Sequence, residues 1–209
     1  MAAKDQRLSR HVLTIVLLLV TTASPFLRAA DREQPALLLG GSYERPPIYR
    51  YLPGSKRTII YPAELGKNTF SKPLGHHFGM SSKSWDQLIK KSQENSLLQL
   101  ATLDPKIIRD RREIIQMAVI STDDPATASL VLLPSFLGHF SAIFGPELIV
   151  AIPARNKIYI FPKLANELPR MADTMREDYL ISPMPVSTEI FELSKKGLRT
   201  IGNYDPNDN

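Results

Sequence analysis

The chain has 209 residues, of which 43% are apolar and 22% charged, values typical of a globular protein that can bury its own core. It has no cysteine, which excludes disulfides, thiol nucleophiles and zinc–thiolate sites. The net charge of +5 is concentrated before residue 31, because the remaining residues carry 22 basic and 20 acidic side chains. Since phosphate-binding domains normally have a basic surplus, this balance argues against a nucleic-acid partner.

The N-terminal residues have the order of features found in a secretory signal peptide. Lys4, Arg7 and Arg10 precede the apolar run 12–20, and small residues follow it up to Ala30. A spanning helix needs about 20 apolar residues, roughly twice the length of this run. We therefore expect residues 1–30 to direct export to the periplasm or the medium, with no stable membrane span after their removal. An uncleaved N-terminal membrane anchor is the alternative.

Residues 31–79 are predicted to form a proline-rich N-terminal arm with short strands. Pro46, Pro47 and Pro62 are among the residues that interrupt it. Residues 56–61 contain the threonine, isoleucine and tyrosine typical of a strand. An extended arm or a few edge strands are expected here.

Residues 80–202 are predicted to form an α+β domain, with a small mixed or antiparallel sheet and helices packed on it. Its first helix begins at Ser81 or Ser82 and continues to about Leu98. Ser92 interrupts the apolar face of this helix. The positions expected to face the core are Trp85, Leu88, Ile89, Leu97 and Leu98.

Residues 111–122 allow two interpretations. Their side chains alternate as in a strand, which is the structure we expect. The alternative is a helix that begins with Pro105 in its first turn and Asp104 as its cap. Asp124 and Pro125 then predict the N-cap and first turn of another helix, which continues to Leu133.

Pro134 comes one turn too early for that helix to continue undisturbed. We expect either a kink or a second helix over 135–144, ended by Gly145. The two apolar runs 147–153 and 157–162 follow, separated by a short turn. Because both faces of these runs are apolar, they predict a hairpin near the centre of the sheet.

The last third of the domain combines an amphipathic helix with a closing hairpin. The helix is expected over 164–179, and the hairpin strands over 189–194 and 198–201, with Gly197 in the turn. Residues 203–209 are expected to form a polar tail. The helix positions expected to face the core are Leu164, Leu168, Met171, Met175 and Tyr179.

Three stretches carry a resemblance to a known family. They are 124–137 (DPATASLVLLPSFL), 147–162 (ELIVAIPARNKIYIFP) and 182–198 (SPMPVSTEIFELSKKGL), with weaker support from 80–100. In this order they resemble the YtpQ-like family of uncharacterised bacterial proteins over roughly 80–202. The resemblance implies an α+β domain of unknown function and no catalytic residues. This chain departs from the family, whose members we take to be cytoplasmic, by its export signal and its proline-rich arm.

The histidines and serines suggest no metal site and no catalytic triad. His76 and His77 are neighbours whose side chains diverge, so they are poorly placed to bind one metal ion. Ser135 and Ser141 flank His139, but their spacing makes them simple neighbours on a helix, and His139 is expected to pack in an apolar stretch. The sequence therefore predicts no metal and no cofactor, and the catalytic residues, if there are any, are unknown.

Two charged features have a simple structural explanation beside a functional one. Asp123 and Asp124 could act as an acid–base pair, but capping of the following helix explains Asp124. Arg155 lies in the turn of the central hairpin, where we expect an exposed side chain that a partner could contact.

These observations favour a non-enzymatic binding or interaction module with a protein or small-molecule partner. The alternative is a hydrolase whose active site is dispersed along the sequence. An exposed apolar surface would support the first, and a pocket with converging Asp, Glu and His side chains would support the second.

Overall fold

The computed structural model describes residues 34–65, 71–73 and 82–205, all of which belong to one compact unit. The predicted signal peptide and the pair His76 and His77 lie outside these residues. Within the described residues, no helix has both the length and the apolar character needed to cross a membrane.

Two antiparallel sheets with helices packed against them form the fold, which confirms the predicted α+β class. In the first sheet, β3 pairs with β1 along its whole length on one edge, and with β2 and β4 at separate positions. Leu39 and Leu52 of this region pack in the same core cluster as Val150 of the second sheet. The strands of the first sheet are β1 (Gln34–Gly41), β2 (Arg50–Tyr51), β3 (Thr58–Leu65) and β4 (Ser71–Pro73).

The second sheet has six strands: β5 (Lys106–Arg109), β6 (Ile115–Ser121), β7 (Leu148–Ala154), β8 (Lys157–Pro162), β9 (Glu189–Ser194) and β10 (Gly197–Asn203). Their order across the sheet is β10-β9-β7-β8-β6-β5, and every neighbouring pair is antiparallel. The central position of the β7–β8 hairpin confirms the prediction. Every residue of β7 is buried, as its apolar sequence requires for a strand covered on both faces.

The helices are α1 (Ser82–Ala101), α2 (Pro134–Phe144) and α3 (Leu168–Ile181), with 3-10 helices at Ser42–Glu44 and Thr127–Leu132. Helices α2 and α3 cover opposite faces of the second sheet, whereas α1 packs on β1 of the first sheet. Met175 of α3 packs on Tyr159 and Phe161, which point to one face of β8. Phe136 and Phe140 of α2 belong to the cluster on the opposite face. Alternate residues of β8 therefore enter two separate cores, as strand geometry dictates.

The buried face of α1 matches the predicted one at Trp85, which is 3% exposed, but differs from it further along the helix. Leu97 and Leu98 are 49% and 58% exposed, whereas Ser92 is buried. The Ser92 hydroxyl accepts a hydrogen bond from the Leu37 backbone N–H at 2.9 Å. Ser129 binds the Leu39 N–H in the same way, at 3.0 Å. The two hydroxyls accept hydrogen bonds from backbone N–H groups on the outer edge of β1, which explains why a polar residue interrupts the apolar face of the helix.

A strand was correctly predicted before residue 122, but it is shorter than expected. It begins at Ile115, and the preceding residues form a turn in which the Asp110 carboxylate accepts hydrogen bonds from the N–H groups of Arg112 and Ile114, at 2.8 and 2.9 Å. The alternative of a helix from Pro105 is wrong, because β5 occupies that region and pairs with β6.

The helix predicted from Asp124 is a 3-10 helix that begins only at Thr127. Asp124 is not its N-cap: the carboxylate accepts the Ala126 N–H at 2.8 Å and so closes the preceding turn. Leu133 is extended, as a residue before proline prefers, and Pro134 begins α2. The second helix is thereby confirmed, and it ends before Gly145, which has a φ of 92°.

The amphipathic helix is confirmed, but it begins at Leu168 rather than at Leu164. Leu164 is 90% exposed and lies before the helix, whereas Met175 is fully buried. The closing hairpin is also confirmed, with Gly197 at a φ of 99° after its turn. Only glycine adopts this conformation without strain.

Candidate functional site

An open apolar groove of about 800 Å³ lies beside the N-terminal half of α2. One wall consists of the end of the 3-10 helix Thr127–Leu132 and of α2. The opposite side consists of the β9–β10 hairpin, of Leu52 and Pro53 after β2, and of Ile60 in β3. Most of the lining is apolar. Representative lining residues are Leu52, Ile60, Val131, Leu137, Leu193 and Leu198.

The α2 wall of the groove is shaped by Leu137, Gly138 and Ser141, which share one side of the helix. A Cβ atom added at Gly138 would meet nothing within 4 Å, so this glycine leaves open space where a side chain would project. The Ser141 hydroxyl donates a hydrogen bond to the Gly138 carbonyl at 3.2 Å. The wall thus presents mainly apolar surface, with its one hydroxyl turned to the backbone of its own helix.

The part of the groove that adjoins a second cleft is charged. Lys195 and Lys196, both exposed, form the turn between β9 and β10 and line both the groove and an adjoining cleft of about 450 Å³. The acidic residues of that cleft are already engaged. Glu192 pairs with Arg199 at 2.6 Å and with Lys163 at 3.3 Å.

Lys163 also forms an ion pair with the Glu147 carboxylate, and this contact raises the pKa of Lys163 above its usual value. A hydrogen bond from Arg199 lowers the pKa of Glu192. Neither Lys195 nor Lys196 forms an ion pair with any residue in the described part of the chain. The groove therefore has a surplus of positive charge where it adjoins the cleft.

The residues weighed for a catalytic triad do not come together. Ser141 lines the groove, whereas Ser135 and His139 are exposed on α2 and do not line it. The expected burial of His139 is wrong: its ring only meets the edge of Phe140, with centroids 4.9 Å apart. The side chains of Ser135 and His139 both point from α2 toward solvent and away from the groove, so no nucleophile–base pair forms here.

The expectation of an exposed Arg155 is wrong. This residue is only 8% exposed, because the 3-10 helix Ser42–Glu44 and β3 cover the hairpin turn. Its guanidinium forms an ion pair with Glu44 and a hydrogen bond to the hydroxyl of Tyr61. Tyr61 in turn donates to the Glu44 carboxylate at 2.8 Å. Arg155 thus joins the two sheets and is not available to a partner.

A second buried junction surrounds Glu189, which the sequence did not single out. This residue is 6% exposed, and its carboxylate accepts hydrogen bonds from the hydroxyls of Ser55, Thr58 and Ser187, at 2.5, 2.6 and 3.3 Å. The backbone N–H of Lys56 donates to its other oxygen at 3.0 Å. These contacts attach the loop before β3 to the start of β9. The carboxylate is enclosed, so its role is structural.

Three tyrosine hydroxyls connect neighbouring elements of the fold. Tyr204 is buried and donates a hydrogen bond to the Ser187 carbonyl at 2.9 Å, and burial raises its pKa well above the usual value. Burial and a hydrogen bond to Asp178 raise the pKa of Tyr159. Burial, then the charge of Glu44, raises the pKa of Tyr43 to about 12. These hydroxyls stay protonated at neutral pH and hold neighbouring elements together.

Asp123 and Asp124 form no acid–base pair in a cleft. Both are exposed, and Asp124 accepts hydrogen bonds from the Ala126 N–H and, at 3.0 Å, from the side chain of Gln99. Within residues 34–65, 71–73 and 82–205, no group of three or more His, Cys, Asp or Glu side chains is arranged to hold a metal ion.

Comparison of the chain with family models, with curated proteins and with solved structures gives no match. The resemblance to the YtpQ-like family therefore stays a prediction from the three quoted stretches. The geometry of the groove is what supports a function.

Proposed function

We propose that the protein is an exported, non-enzymatic binding module that holds an apolar small molecule in the groove beside α2. The observation that carries this proposal is the groove itself, a concave and mainly apolar surface of about 800 Å³. Ligand sites typically enclose roughly 300–1,000 Å³ and are lined predominantly by apolar side chains with a few polar groups. A concave site of this kind favours a small molecule over a flat protein surface as the partner.

The lining also bears on the alternative of a hydrolase. No Asp, Glu or His is among the described residues that line the groove. The Ser141 hydroxyl donates to a backbone carbonyl instead of to a general base. Hydrolysis by a serine nucleophile needs a base within hydrogen-bonding distance, oriented by a third group. The groove therefore supports binding better than it supports hydrolysis.

Gly138 allows a direct test, because it lines the groove and a Cβ atom added there would meet nothing within 4 Å. We expect N-phenyl-1-naphthylamine, a neutral apolar fluorescent probe, to bind the wild-type protein saturably. Gly138→Phe should weaken this binding at least about tenfold, since a tenfold change corresponds to only about 1.4 kcal/mol of binding energy.

Ala142→Phe is the matched control, because Ala142 is exposed on the same helix and does not line the groove. This variant should bind the probe as the wild type does. Both variants should remain folded, because phenylalanine has a higher helix propensity than glycine and position 142 faces solvent. Equal probe affinity in Gly138→Phe and wild type would contradict the proposal.

The export part of the proposal rests on the pattern within residues 1–30. Mature protein purified from its native host should begin between residues 24 and 31, which N-terminal sequencing would show. Recovery of the intact 209-residue chain from the cytosol would contradict export.

A further inference from the structure

We infer that the groove selects ligands with an apolar chain and an anionic group at one end, and that Lys195 and Lys196 bind the anionic group. This inference rests on the proposed function and adds the chemical class of the ligand. It starts from the polarity of the site: most of the lining is apolar, and the two lysines stand where the groove adjoins the second cleft.

The backbone of the turn holds the two lysines in place. The Lys196 N–H donates a hydrogen bond to the Ser194 hydroxyl at 3.2 Å, and Gly197 follows with a φ of 99°. The flanking strands pair in register from Ser194 and Gly197 as far as Phe191 and Thr200. The lysine side chains therefore emerge from a defined point beside the apolar lining, although their long stems can adapt to a ligand.

The local charge balance leaves these two lysines available. The cleft that adjoins the groove is lined by four cationic side chains and two carboxylates. Lys163 and Arg199 are the residues that pair with the carboxylates of Glu147 and Glu192. The remaining positive charge belongs to Lys195 and Lys196, so the part of the groove next to them complements a negative group.

A lysine ammonium interacts with anions as a point charge and does not require the planar geometry of a carboxylate. The ligand class is therefore an anionic amphiphile, whose head group could be a carboxylate or a phosphate. A neutral molecule with the same chain should bind through the apolar lining alone. The difference between anionic and neutral ligands then isolates the contribution of the lysines.

The experiment measures displacement of N-phenyl-1-naphthylamine from the purified protein by dodecanoate, by dodecyl phosphate and by 1-dodecanol, at pH 8 and low ionic strength. For the wild type, we expect at least one of the two anions to displace the probe at about tenfold lower concentration than the alcohol. Two exposed ion pairs contribute a factor of this order. Added salt should reduce the preference, because exposed charges are screened.

The variant Lys195→Gln/Lys196→Gln should lose the preference for anions and keep the affinity for 1-dodecanol. The variant Lys90→Gln/Lys91→Gln is the matched control, since it removes two adjacent exposed lysines from α1, away from the groove. It should retain the full preference. The response to the two anions identifies whether a carboxylate, a phosphate or either is accepted.

Equal displacement by all three ligands in the wild type would overturn this inference, and so would an anion preference that survives in Lys195→Gln/Lys196→Gln. Neither result would affect the proposed function, provided that Gly138→Phe still weakens probe binding at least about tenfold. Failure of the probe to bind the wild-type protein saturably would overturn the proposed function, and the inference with it.

Discussion

Replacement of Glu189 by alanine should destabilise the protein by about 3–5 kcal/mol. Glu189 is 6% exposed, and its carboxylate accepts four hydrogen bonds, three from hydroxyls and one from a backbone N–H. A hydrogen bond to a charged group contributes about 1.5–3 kcal/mol to stability, and a buried donor left without an acceptor costs about 1–3 kcal/mol. Part of this loss is recovered, because Ser55 is only half-buried and Lys56 is exposed, so both donors can reach water.

The Thr58 hydroxyl recovers least of the lost hydrogen-bond energy, because Thr58 is fully buried and its hydroxyl has no access to solvent. Glu189→Gln should have a smaller effect, about 1–3 kcal/mol, because the amide keeps one acceptor oxygen but turns an NH₂ group toward existing donors. The two variants together separate the loss of an acceptor from the loss of the whole side chain.

The assay is equilibrium unfolding in urea, followed by the fluorescence of the single tryptophan, Trp85, which is 3% exposed. Glu94→Ala serves as the control, because Glu94 is exposed on α1 and its removal should change stability by less than about 0.5 kcal/mol. A free energy of unfolding for Glu189→Ala within about 1 kcal/mol of the wild type would refute the reasoning. It would mean that the loop before β3 is held by other contacts.

Three further predictions concern α3, the tyrosines and α2. Met175→Ala should lower the free energy of unfolding in urea by about 2–5 kcal/mol because Met175 is fully buried, whereas Arg170→Ala should lower it by under about 1 kcal/mol because Arg170 is exposed. Equal losses would mean that the buried face of α3 is assigned wrongly. Burial raises the pKa of Tyr204, so the stability that the neutral phenol contributes is complete below the usual tyrosine pKa of about 10 and is lost as the pH rises through the pKa of the folded state. Tyr204→Phe should therefore flatten the fall of the urea midpoint above about pH 10. An unchanged slope would contradict this assignment. His139→Gln should leave probe binding within about twofold of the wild type, since His139 does not line the groove; a larger loss would show that it contributes to the site.

The sequence by itself was sufficient for elements whose signals are local. The hairpin of β7 and β8 follows from two apolar runs around a short turn, and the closing hairpin follows from the turn before Gly197. The amphipathic spacing of α3 identified Met175 as a core residue. Each of these signals lies within a few residues of the structure that it predicts, so a single sequence was enough to predict these elements.

The tertiary structure alone decided which polar residues are buried and where the groove lies. Arg155 looks like an exposed turn residue until Glu44, 111 positions earlier in the chain, packs against it. Ser92 looks like an interruption in a helix until it meets the N–H of Leu37, 55 positions away. The groove likewise combines Ile60, Leu137 and Leu198, whose proximity follows only from the packing of the two sheets and α2. Burial and cavities arise from contacts between distant segments. The hydrophobic pattern of one segment does not indicate which other segment will pack against it.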